Sequence, residues 1–130
     1  MMNQGPILRQ ILLCEKLIFE QRTGNVSLIN CCSELVLKGN ATKTVSFVVY
    51  GVLADGYGTY YLDLAVRNLK VDEVIYRHRE PGLLTDRLKQ SHLVIRVVEL
   101  LLPAAGRYDL TLTIDGEFAG MSSFTAREKP

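Results

Sequence analysis

Tryptophan is absent, cysteines number three and prolines four in a chain of 130 residues, and neither charge sign dominates. Each shortage excludes something. An odd number of cysteines, with Cys31 and Cys32 adjacent, makes a poor disulfide framework, whereas reduced thiols are ordinary in the cytosol. The expected compartment is therefore the cytoplasm. Fifteen Lys and Arg against fourteen Asp and Glu leave a net charge of +1, so no global field draws the protein to nucleic acid or to an acidic membrane. No stretch approaches the ~18 uncharged apolar residues of a spanning helix, because Ile11-Leu12-Leu13-Cys14 is cut by Glu15 and Lys16. Met1 to Pro6 lacks the basic start of a signal peptide. Membrane is excluded as a partner, and nucleic acid is disfavoured.

The same scarcity argues against metals and cofactors, and none is expected. A structural zinc site needs four ligands in close pairs, yet three cysteines and two histidines include no Cys-x-x-Cys or His-x-His pair. Calcium needs clustered carboxylates, while Asp55, Asp72, Glu73 and Asp115 are scattered. The Gly-x-Gly within Asp55-Gly56-Tyr57-Gly58 stands between strand patterns, where no helix N-terminus can hold a phosphate, and reads as a hairpin loop. No serine sits in a Gly-x-Ser-x-Gly elbow.

What is present is extended structure. Tyr60, Leu62, Leu64 and Val66 alternate with polar or small residues, and Tyr108, Leu110, Leu112 and Ile114 repeat the pattern. Asp115-Gly116 suits a type I′ turn into a returning strand with Phe118, Gly120, Ser122, Phe124 and Ala126 on one face. Apolar, β-branched segments at 7–19, 26–37, 45–53 and 93–102 add strands, separated by Thr23-Gly24-Asn25, Lys38-Gly39-Asn40 and Asp55 to Gly58. The expected fold is all-β, a single-domain antiparallel sandwich of seven to eight strands over residues 1–130, with one long loop at about 77–92. Thr85 is placed to cap a short helical turn within it.

Pro103, Gly106 and Tyr108, followed by Leu110, Leu112 and the Ile114 to Phe118 turn, resemble the closing strands of bacterial immunoglobulin-like sandwiches. Upstream, Leu12-Leu13-Cys14-Glu15 and Thr23-Gly24-Asn25-Val26 resemble a bacterial family of small cytosolic proteins with no assigned activity. The resemblance spans roughly Ile7 to Ala126. It implies an immunoglobulin-like fold and no catalytic residues.

Within the chain, chemistry concentrates in two places. Cys31-Cys32 reads as a pair of buried structural thiols; the alternative is a cysteine-dependent enzyme in which one of them is activated by His78 or His92. Arg77, His78, Arg79, Arg87 and Lys89 offer donors for an anion or other small ligand, against the plainer reading of a solvated loop. The leading reading is non-enzymatic: a protein-interaction module that binds a partner or itself. The segment 93–102 is apolar on both faces, and a two-layer sandwich buries only one. Val94, Val98 and Leu100 fall on the second face, and Val94 and Val98, with Leu84 and Leu88 from the loop, are the expected homodimer contact.

Overall fold

The computed structural model describes residues 5–39 and 43–129. Asn40, the last residue of the Lys38-Gly39-Asn40 turn, lies outside them. The described residues form nine strands and no helix: β1 (Ile7–Phe19), β2 (Val26–Cys31), β3 (Glu34–Val36), β4 (Thr44–Ala54), β5 (Gly58–Asn68), β6 (Glu73–Leu84), β7 (Ser91–Leu101), β8 (Gly106–Ile114) and β9 (Glu117–Arg127). They build two packed sheets, ordered β2-β1-β4-β7 and β3-β9-β8-β5-β6.

The strand count exceeds seven to eight because the apolar segment 26–37 is two strands. β2 pairs with β1, and after Cys32-Ser33 the chain changes sheets so that β3 runs parallel to β9. The Asp55 to Gly58 segment likewise joins β4 to β5 across the two sheets instead of closing a hairpin.

The expected long loop at 77–92 is a second correction. Residues through Leu84 belong to β6, which pairs along its length with β5, and His92 is already in β7. Pro81-Gly82 reads as a loop signal, but β6 is an edge strand with one side free of ladder partners, where proline is tolerated. The Tyr60 ring lies over Gly82 and fills the space a side chain would take. Only 85–90 connects β6 to β7. No helical turn forms there: Asp86 closes a tight turn, its carboxylate accepting from Leu88 N–H (2.9 Å) and its carbonyl from Lys89 N–H (3.3 Å).

The alternating segments land as read. Leu62, Leu64, Val66, Tyr108, Leu110, Leu112 and Ile114 face the core between the sheets. Phe124 is sandwiched between the rings of Tyr108 (5.3 Å) and Phe47 (5.4 Å), joining the sheets. Asp115 and Gly116 both take positive φ, as a type I′ turn requires. Phe118, however, is exposed. The β8–β9 register shifts between Leu112 and Thr113, so Ala119 is an extra residue that turns Phe118 to the outer face beside Thr113. Thr111 lies on that outer face, and Thr111→Ala should change stability by no more than about 0.5 kcal/mol in a urea melt.

Candidate functional site

The two outer faces differ in chemistry. On the five-stranded sheet, cross-strand register sets Asp63, Thr113 and Arg79 in one row, Arg67 and Asp109 in another. This face carries more charge, but Tyr61 on β5, Leu83 on β6 and Phe118 and Met121 on β9 are exposed apolar side chains on it. On the four-stranded sheet the rows are Cys31-Cys14-Val48-Arg96, Leu12-Tyr50-Val94 and Gln10-Val52-His92. Val48, Tyr50 and Val52 are buried although no third layer covers them, because β4 lies between β1 and β7 and the side chains of those strands crowd over it. The Tyr50 hydroxyl and His92 Nδ1 share a hydrogen bond of 2.5 Å, and burial pushes the Tyr50 phenol up.

Toward one end of this face the apolar side chains are open. Val98 is 73% exposed, Ile18 and Ile29 stand out at the same end, and Leu12 stands out farther along, in the row of Tyr50 and Val94. A shallow groove of about 300 Å³ runs past Lys16, Val48, Arg96 and Val98.

Of the expected contact residues, Val94 and Val98 are on this face, and Leu88, at the tip of the 86–89 turn, is 95% exposed. Leu84 is corrected. It ends β6 in the opposite sheet, and it is buried at 7% beside Gly56, so it helps close the core and cannot be a surface contact. Leu100, expected on the outer face with Val98, is also in the core. A bulge at Glu99, with φ of 51° and its N–H donating to Ser46 Oγ (2.9 Å), flips the strand between the two. The sequence reasoning missed Leu12, Ile18 and Ile29. The available signal was that segment 7–19, like 93–102, is apolar on both faces.

The basic residues spread over several surroundings. Arg77 and Arg79 share one face of β6, where both turn to Asp63, with Arg79 Nε to Oδ2 at 3.0 Å and Arg77 Nε to Oδ1 at 3.8 Å. His78 points to the opposite face and lies 3.7 Å from Glu80. Arg87 stacks over the Tyr57 ring at 5.6 Å, and Lys89 follows in the tight turn after β6.

The thiols also differ from the expectation of two buried structural groups. Cys31 is exposed, Cys32 half-buried against the core, and Cys14 fully buried. Burial pushes the Cys14 and Cys32 thiols up, and the neighbouring Cys31 adds to both. A cysteine-histidine dyad does not assemble: β2 and β7 are opposite edges of one sheet, about 14 Å apart by strand spacing, His92 is a further four residues along β7 from the row of Cys31, and His78 is in the other sheet. Among the described residues no group of three or more His, Cys, Asp or Glu could hold a metal ion. Iodoacetamide should alkylate Cys31 in the native protein and Cys14 only on unfolding, more than about tenfold slower, as peptide mapping would report.

The sheet order defines the class of protein. β9-β8-β5-β6 follows the G-F-C-C′ order and β4-β7 the B-E pairing of immunoglobulin-like sandwiches. Tyr108, early in β8, donates its hydroxyl to the Ala104 carbonyl four residues back (2.6 Å), the tyrosine corner of that fold. The chain is an immunoglobulin-like β-sandwich.

No protein-family model and no curated protein matches the chain. Among solved structures, it is similar to part of a β-glucosidase from Listeria innocua, at 9% identity and a TM-score of 0.50, covering 92% of this chain and 16% of that one. It is also similar to part of the alkylpurine DNA glycosylase of Pseudomonas fluorescens (12% identity, TM-score 0.47, 90% of this chain and 30% of that one). An immunoglobulin-like protein from Pseudomonas aeruginosa is matched over 91% of this chain and 97% of its own, at 14% identity and a TM-score of 0.42. At 9% identity the likeness to the β-glucosidase concerns the fold alone, and the chemistry of the two larger proteins stays with them. No helix among the described residues is long and apolar enough to cross a membrane.

Proposed function

We propose that this sandwich is a non-enzymatic protein-interaction module of the cytoplasm that pairs with a second copy of itself through the outer face of the four-stranded sheet. The observation that carries the reading is the open apolar end of that face, with Val98, Ile18 and Ile29 in water beside the groove at Val48. Val98 on β7 and Ile29 on β2 stand at opposite edges of the face with Lys16 and Val48 between them, and several exposed apolar side chains on one uncovered sheet face support an interaction site. A two-fold dimer uses one patch twice, so it needs no second protein to complete it. Arg96 and Lys16 flank the groove at one end of the face.

Light scattering across a concentration series tests this. The natural protein should be a dimer, and Val98→Asp a folded, soluble monomer within about 0.5–1 kcal/mol of the parent in stability. A strict monomer at every concentration overturns self-association.

A further inference from the structure

Cys14 and Cys31 are directly opposite each other on β1 and β2. The Cys32 N–H donates to the Leu13 carbonyl (3.0 Å), and a bond in that position flanks a non-hydrogen-bonded cross-strand pair. Such pairs hold their Cα atoms about 4.5 Å apart, within the range a disulfide spans, and their side chains lie on the same face of the sheet. The pleat sends Cys32 to the other side, against the core. Asn30, held with φ of 58° and its side-chain amide donating to Glu15 Oε2 (2.6 Å), fixes the approach of β2 to this register. The two thiols are also unequal in access, Cys31 being exposed and Cys14 fully buried.

We propose that Cys14 and Cys31 are an oxidation-sensitive pair, in which Cys31 attacks a hydroperoxide and Cys14 resolves the product into a cross-strand disulfide. The atoms balance in two steps. The Cys31 thiol loses its proton, the thiolate takes one oxygen from hydrogen peroxide to give a sulfenic acid, and the departing hydroxide takes up that proton as one water. Cys14 Sγ then attacks Cys31 Sγ, the S–O bond breaks, and a second water leaves with the Cys14 proton. Two thiols are oxidised and one peroxide is reduced. Reversible disulfides of this kind suit a reducing compartment, where a thiol pool reopens them. The result ties β2, an edge strand paired only with β1, covalently to its neighbour. Cys31 shares a row with Cys14, Val48 and Arg96 on the face proposed for the dimer, so the treatment is run on the Val98→Asp monomer as well as on the parent, and the linked peptide should form in the monomer whether or not pairing shields Cys31.

The test is limited hydrogen peroxide treatment of the folded protein, followed by alkylation and peptide mapping by mass spectrometry. The expected result is a loss of about 2 Da per chain, one linked peptide containing Cys14 and Cys31, and Cys32 still alkylatable. Cys32→Ser should give the same product. Cys31→Ser, a surface change, should stay folded and lose no mass, and dithiothreitol should restore the parent mass. A link through Cys32, a disulfide between chains, or Cys31 driven to sulfinic acid without a link would each overturn the assignment.

Discussion

Tyr108→Ala should be among the most damaging single substitutions, lowering stability by about 3–5 kcal/mol in urea melts. The ring is buried and stacks on Phe124, which in turn meets Phe47 of the opposite sheet, so truncation opens a cavity at the point where the layers are joined. It also removes the donor to the Ala104 carbonyl in the corner between β7 and β8. Burial pushes this phenol up, while its hydrogen bond at Ala104 pulls the other way. Tyr108→Phe separates the two contributions: the ring stays, the hydrogen bond goes, and the loss should be about 1 kcal/mol. Equal losses for the two variants would mean that the corner bond, and not the ring, carries the residue's contribution. Against the 5–15 kcal/mol typical of a whole domain, the alanine variant should stand close to unfolding.

Val97→Asp should abolish folding, whereas Val98→Asp one residue along leaves the sandwich intact. Val97 is 2% exposed in the core beside Phe47, its partner in register on β4, and no cation of the described core cluster is there to pair with a carboxylate. Burying an unpaired charge costs several kcal/mol, comparable to the stability of the domain. Val98 points to water on the other face. Circular dichroism should report loss of the β signal for the first variant and its retention for the second. Loss of fold in both would mean that the outer face is closed from within the chain.

Much of the architecture was legible because an extended chain sends alternate side chains to opposite faces, and burial on one face imprints that period on β5 and β8. The Asp115-Gly116 turn and the Tyr108 corner were equally local, depending on residues only a few positions apart. The failures share a cause. Phe118 and Leu100 went to the wrong faces because single-residue bulges at Ala119 and Glu99 reverse the alternation, and nothing in a glutamate announces a left-handed backbone. Arg77 to Leu84, the later part of β6, reads as loop because its alternation dissolves into charged residues and Pro81-Gly82, and its place at a sheet edge beside Tyr60 is a fact of pairing with β5.

The candidate surfaces divide the same way. That segment 93–102 is apolar on both sides, that charge is balanced, and that three cysteines make no disulfide framework are properties of composition and pattern, so the sequence alone determined them. Which apolar face is left in water depends on how the sheets stack, and only the tertiary structure shows Leu84 sealing the core while Val98 stays open. The meeting of Cys14 with Cys31, seventeen positions apart, was decided by the β1–β2 register. Side-chain alternation is written into the order of residues, but register between strands is settled by long-range pairing, and no local stretch of sequence contains it.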